Sequence, residues 1–325
     1  EEVANYFDPT EMTAVTGGPE VGAAFSSLPF DHLFFTGSAE IGKLVASAAA
    51  TNLVPVTLEL GGKNPAVIAK DADIAAMARR VMAARICNGG QICLCPEYAF
   101  VPRDRLNEFV DAALGTARSA ATADEGDGLI AIINDKNYQR VKALIDDAQS
   151  LGATILDTGT PFDPARRRIP PTVLLDVNDD MLIANSEVFG PVLSVLPYDT
   201  IEQVVDYVTS RPTPLAAYWY GPVGGDFEHF RAWTASGGMT VNDFAIHCAM
   251  MGAPFGGLGY SGWGAYHGKA GFDTFTHRRT VTVSRLPVSF ARLMTPPYPA
   301  ALKPAISSYI GFERWRATRR RARRA

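Results

Sequence analysis

One segment constrains this chain more than any other. His32-Leu33-Phe34-Phe35 reads as a short apolar strand and Thr36-Gly37-Ser38 as a turn. Residues 39–50 are helix formers with apolar residues at helical spacing, and Val56-Thr57-Leu58 reads as a second strand. Strands joined through a helix lie parallel, because the crossover returns the chain to the same end of the sheet. Parallel sheets need cover on both faces, so the fold class is α/β. The alternation continues with a helix at 73–87, a strand at 98–101 and helices near 104–119 and 135–149. A Pro- and Arg-rich loop at 161–171 leads to strands at 172–175 and 192–196. Helices near 200–209 and 226–236 then alternate with strands at 216–220 and 239–241. No internal repeat is visible. Thr280-Val281-Thr282-Val283 predicts one more strand, able to extend a sheet, and a basic tail, Arg319 to Arg324, is expected to be a solvated or disordered end.

Composition narrows the function classes. The chain has 325 residues, 47% hydrophobic and 20% charged, enough for two domains with sizeable cores. A net charge of −4 gives no reason to expect nucleic acid or an anionic membrane as the main partner. The basic tail could touch an acidic lipid surface, but that reading is not favoured. Four cysteines in a chain this long do not form a disulfide scaffold, which points to a reducing, cytoplasmic compartment. No apolar run approaches the roughly 20 residues that span a bilayer. The first residues, EEVANYFDPTEMTAV, carry neither a basic n-region nor an apolar h-region, so no signal peptide is expected.

Candidate chemistry gathers at Asn88-Gly89-Gly90-Gln91-Ile92-Cys93-Leu94-Cys95. Cys93 and Cys95 stand one residue apart, Cys87 lies upstream, and no Cys or His pair follows at finger spacing, so no metal is expected. A CxxC redox pair is absent. A buried packing cysteine remains open, because free Cys is among the most buried residue types. A nucleophile is the other reading. Gly89-Gly90 lets the backbone come close to a ligand, exposed N–H groups would lower the thiol pKa, and the Cys93 amide could donate to an oxyanion. Hydrolysis of an acyl-thioester then needs a base. Glu59, ending a strand before Gly61-Gly62, is the candidate.

TLELGGKNP, with the cysteine of NGGQIC 34 positions after Glu59, resembles the paired signature of the aldehyde dehydrogenase superfamily. FTGSAEIGK and SEVFGPV are similar to two further motifs of that family, in the same order. APFGGLGYSGWGAYHGKAGFDTFTHRRTV resembles the branch with coniferyl aldehyde and fatty aldehyde dehydrogenases. The resemblance runs from about Thr16 to about Val283. It implies an aldehyde dehydrogenase-like fold, with a partial Rossmann-type cofactor domain and an α/β catalytic domain. Cys93 is then the nucleophile that forms a thiohemiacetal, and Glu59 activates the water that releases the acid. The cofactor implied is NAD, with NADP as the variant. Gly37, Ser38 and Gly42 form the diphosphate edge, and Leu60 and Gly61 the adjoining cofactor contact. Glu187 holds the nicotinamide-side ribose, and Phe189 is the aromatic near the ring. Phe255 and Met251 line the aldehyde tunnel, with His247 less favoured there. Cys87 and Cys95 are packing residues, and His267 and His277 carry no chemistry.

The same resemblance divides the chain into a remnant of the dinucleotide-binding domain (1–61), a nucleophile domain (62–262), an oligomerisation strand region (263–288) and a basic tail (289–325). It implies a homodimer that oxidises an aromatic coniferyl-type or long-chain aliphatic aldehyde to the acid. A complete member carries about another third of a chain before the position of Glu1, including a Pro-Trp-Asn segment whose asparagine completes the oxyanion hole. No such triplet occurs here. Loss of one oxyanion donor costs on the order of 10²–10³ in rate, so impaired activity is expected. Two alternatives follow: a cofactor-independent thiol esterase using Cys93 and Glu59, and an inactive partner that pairs through the 280–283 strand.

Overall fold

Pro65–Ile68 is a run of four buried residues and lies inside the larger of two sheets. The sequence gives it no alternation, because a strand covered on both faces is apolar throughout. A computed structural model describes residues 2–123, 128–287 and 289–322. Its strands are β1 (Leu33–Thr36), β2 (Val56–Glu59), β3 (Pro65–Ile68), β4 (Tyr98–Pro102), β5 (Thr154–Leu156), β6 (Thr172–Leu175), β7 (Val192–Tyr198), β8 (Ala216–Tyr220), β9 (Gly238–Val241) and β10 (Gly262–Trp263). The chain divides into two compact units, Glu1–Thr276 and His277–Ala325.

In the first unit the larger sheet has the order β5-β6-β7-β4-β3-β8-β9. All its pairings are parallel except β5 with β6. Helices Ile74–Ile86, Leu106–Thr122, Ile201–Thr209 and Gly225–Trp233 carry the crossovers, and their apolar faces close one continuous core over β3, β4, β7 and β8. A second core joins helix Asp135–Ser150 to β6 and to the 181–192 segment. The α/β expectation holds.

A smaller sheet, β1-β2-β10, pairs β1 with β2 in parallel and β2 with β10 in antiparallel. Helix Ala39–Ala50 buries Val45 and Ala49 against Leu33, Leu58 and Leu60. This is the strand–turn–helix–strand unit expected from the sequence. β10 pairs Gly262 opposite Glu59, which brings the 255–266 segment over the end of β2.

The second unit departs from expectation. Residues 280–283 form no strand, and Val281 and Val283 are 72% and 80% exposed. Alternation alone does not make a strand; it needs an edge to exchange hydrogen bonds with, and no ladder partner reaches this segment among the described residues. The tail is also not irregular. Leu302–Ala322 is a helix, exposed as expected, in which Phe312 stacks on Trp315 at 5.8 Å. Arg323 and Arg324 of the basic run lie outside the described residues.

Candidate active site

Glu59 ends β2 and is 4% exposed, with Oε1 buried and without a hydrogen-bond partner. Burial pushes its carboxyl up to about 7, against the N–H of Gly257, which donates to it. After β2 the chain turns through Leu60 to Lys63. Asn64, 1% exposed, then donates through Nδ2 to the carbonyls of Cys93 (2.8 Å) and Cys95 (3.0 Å). Its Oδ1 accepts the Ala216 N–H at 2.9 Å. The asparagine that follows Glu59 in the sequence therefore pins the cysteine turn beside it.

That turn follows helix Ile74–Ile86. Asn88, Gly89 and Gly90 all have left-handed φ, of 50°, 63° and 73°. A Cβ on Gly90 would stand 2.2 Å from the Gly190 carbonyl, so only glycine fits there. The close approach expected of Gly89-Gly90 is real, but its partners are the backbone at Ile130 and Gly190. Cys93 is half-buried. Its thiol lies within electrostatic reach of Glu187, Glu59 and Cys248. Burial first, then Glu187 and Glu59, push it up to about 12. This corrects the expected depressed thiol. Burial first, then the two nearby carboxyl groups, keep Cys93 protonated, so it needs a base beside it.

The Ser186–Pro191 loop carries Glu187. Burial and the charge of Glu97 raise Glu187 to about 7, opposed by the Gly62 N–H and by Arg85 and Lys63. Its carboxylate lies so close to Gly61 that a Cβ there would meet the oxygens at 2.2 Å. One backbone donor leaves a carboxylate ample acceptor capacity, so Glu187 fits a pair of ribose hydroxyls. Phe189, in the same loop, is half-buried with φ 47°.

A buried ion-pair network fixes this loop, and the sequence reading did not include it. Glu97, 2% exposed, accepts from Lys63 Nζ (3.1 Å), Arg85 Nη1 (2.7 Å) and the Val188 N–H (2.8 Å). Burial alone would raise Glu97, but Arg85 and Lys63 outweigh it and hold the carboxyl below its ordinary range. Arg85 also donates to the Gly190 carbonyl (2.8 Å) and the Pro96 carbonyl (2.9 Å). Arg140 donates to the carbonyls of Glu187 (2.9 Å) and Val188 (2.7 Å). The signal available beforehand was a charged residue inside an apolar run, as Glu97 is in CPEYAFV.

The remaining expected residues separate into three groups. Gly37 and Ser38 are exposed at the start of helix Ala39–Ala50; Ser38 caps it by accepting the Ile41 N–H at 3.4 Å, and the Gly37 N–H donates to the Glu59 carbonyl at 3.0 Å. Gly42 and Leu60 pack on each other, since a Cβ on Gly42 would meet Leu60 at 2.6 Å. Phe255 is 6% exposed and stacks between His247 (6.0 Å) and His267 (5.5 Å), edge-on to Tyr266. Met251 is 63% exposed, which leaves it outside any enclosed lining in this structure.

Cys95 is 1% exposed with its thiol on the Ala84 carbonyl at 3.4 Å, a packing residue as expected. Cys87 is exposed, and the packing expectation fails for it because it caps the helix on its open side. Two groups escaped the sequence reading. Cys248 lies within electrostatic reach of Cys93 and Glu59, and the Tyr266 phenol is pushed up to about 12 by burial, then by Glu59, Cys248 and Cys93. His247 bonds Thr240 through Nδ1 at 2.7 Å, and burial lowers its pKa. Among the described residues no cluster of three or more His, Cys, Asp or Glu could hold a metal, and no helix is long and apolar enough to cross a membrane.

Comparison with known proteins bears on this geometry. The sequence model described as "Aldehyde dehydrogenase family" matches residues 6–281. A Caulobacter vibrioides protein named "Probable coniferyl aldehyde dehydrogenase" is 42% identical over 314 residues, covering 94% of this chain and 64% of the relative. The "Coniferyl aldehyde dehydrogenase" of a Pseudomonas species is 41% identical over 319 residues, covering 96% of this chain and 66% of its own length. The chain thus spans a little under two thirds of these curated relatives. Among solved structures, the substrate-bound state of Staphylococcus aureus AldH superposes with a TM-score of 0.83 at 33% identity, covering 94% of this chain and 66% of that one. A Mycobacterium tuberculosis aldehyde dehydrogenase complexed with NAD+ gives 0.74 at 33% identity, with 80% and 55% covered.

Proposed function

Because the chain belongs to the aldehyde dehydrogenase family, we propose that it carries the nucleophile, base and ribose-side carboxylate of an NAD(P)-dependent oxidation of an aldehyde to its acid. The observation that carries this reading is one cluster: a protonated thiol, Cys93, beside a buried carboxyl, Glu59, with an open oxygen and a pKa of about 7. Glu59 takes the Cys93 proton as sulfur bonds to the aldehyde carbon, giving a thiohemiacetal. The Cys93 N–H can donate to the oxygen that becomes negative. Bound NAD(P)+ supplies the hydride acceptor that turns this adduct into a thioester. Glu59 passes the proton it took on to solvent and then removes one from water as the water attacks the acyl carbon; the C–S bond breaks, the acid leaves and Glu59 returns that proton to Cys93.

Glu187 and Phe189 are the residues proposed to hold the ribose and the ring, with Gly37 and Ser38 at the diphosphate edge. Gly42 lets helix Ala39–Ala50 pack closely on Leu60, and Gly61 leaves room for the Glu187 carboxylate on that side. In this reading 1–61 contributes cofactor contacts, 62–262 the nucleophile, 263–288 an oligomerisation segment and 289–325 a basic extension. The relatives' names support coniferyl-type aldehydes, and Phe255 with Met251 are proposed on the substrate side. A homodimer in the cytoplasm completes the proposal; four free cysteines support a reducing compartment.

Purified protein given coniferyl aldehyde and NAD+ or NADP+ is expected to generate the absorbance of the reduced nicotinamide. C93S is expected to be silent. Turnover by C93S equal to that of the parent ends the proposal.

A further inference from the structure

Tyr218, in the middle of β8, takes part in no step of the proposed reaction, yet it is 0% exposed and touches the nucleophile turn. Its hydroxyl donates to the Leu94 carbonyl at 2.6 Å, one residue beyond Cys93. Its ring lies 6.0 Å from that of Phe244 and 6.4 Å from that of His247. One side chain therefore joins, by its hydroxyl and its ring, the turn that holds Cys93 to the segment that carries His247 and Cys248.

Both joined pieces need such a tie. Ala245 holds φ 56°, in the left-handed region where an L-residue's Cβ crowds its backbone. Asn242, three residues earlier, holds φ 60°. On the other side, Asn64 already grips the carbonyls of Cys93 and Cys95. The Leu94 carbonyl between them has the Tyr218 hydroxyl as its donor. With three successive carbonyls held by two side chains, the backbone of the turn cannot rotate without stranding a buried polar group.

We propose that Tyr218 is a positioning residue: its hydroxyl ties the Leu94 carbonyl to β8 and so fixes the turn that poses the Cys93 thiol beside Glu59. The proposal rests on reading Cys93 as the nucleophile. Without the hydroxyl, the Leu94 carbonyl loses its donor in a buried place. The turn then loosens and water reaches the thiol. Tyr220 supplies the control, because it is equally buried on the same strand but donates to the Asp243 carbonyl, at 3.3 Å, away from the turn.

The test is peptide-resolved alkylation of the parent, Y218F and Y220F by iodoacetamide across a pH series, with no cofactor or aldehyde present. In Y218F, Cys93 is expected to react about threefold faster or more, with its pH profile moved to lower pH, because a loosened thiol is better solvated. Exposed Cys87 should label as in the parent, and Y220F should match the parent at both cysteines. A Cys93 rate and profile unchanged in Y218F overturn the proposal, as does the same change in Y220F. Should Y218F fail to fold, hydrogen exchange in the parent decides: a protected Cys95 amide, which bonds the Ile92 carbonyl inside the turn, supports a clamped turn, and free exchange there refutes it. Aldehyde turnover by the parent is measured separately, so an inactive parent with an intact alkylation shift counts against the proposed function and not against the clamp.

Discussion

Glu59 and Glu187 govern how this site responds to pH. Both sit near 7, raised chiefly by burial, while an unfolded chain would release these protons near 4.5. The folded state therefore holds protons that the unfolded state has lost between about pH 4.5 and 7, and stability falls as pH rises through that window. E59Q removes one of these titrations. It is expected to gain on the order of 2 kcal/mol over the parent near pH 8 and almost nothing near pH 5, read by urea unfolding at the two pH values. Stabilisation equal at both pH values would disprove the assignment. The same variant should lose about 10²-fold or more in aldehyde turnover, read by the absorbance of the reduced nicotinamide. At this scale Cys93 and Glu59 were legible because short motifs surround them. The carboxyl surroundings that help keep Cys93 protonated were not, because Glu187 lies 94 positions away in the chain and only folding places it there.

The elements around the site are held by buried polar ties. Glu97 on the approach to β4 joins Lys63, Arg85 and Val188, three separate segments, in a space that excludes water. Removing one member of such a set leaves uncompensated buried charge, so E97A is expected to cost about 3–5 kcal/mol in denaturant unfolding. A cost under about 1 kcal/mol would mean the network is solvated. Gly90 tests the turn itself. G90A must hold a Cβ at φ 73° against the Gly190 carbonyl, and it is expected to lose about 2 kcal/mol or more. Strands flanked by turn residues, such as β1, β2 and β8, could be found from pattern alone. β3 could not, since a four-residue strand covered on both sides carries no period.

At the scale of the molecule, the second unit builds no apolar core of its own among the described residues. Its large apolar side chains are exposed, among them Leu286, Phe290, Tyr309 and Trp315. The first unit holds all three cores, so a chain ending at Thr276 is expected to unfold in one cooperative thermal transition by circular dichroism. A chain without such a transition would disprove this. The sequence by itself determined the α/β class, the family and the strand–turn–helix–strand unit at 33–59, and it singled out Glu59 and Cys93 as candidates. These reside in local periodicity and short motifs, which need no knowledge of distant neighbours. The tertiary structure alone decided that 280–283 is not a strand, that Cys87 faces solvent and that Cys93 sits among carboxyls. It also decided that Asn64 and Tyr218 bond the carbonyls of the 93–95 turn. Each of these depends on which groups share a water-poor space, and burial is a property of the folded assembly rather than of any stretch of residues.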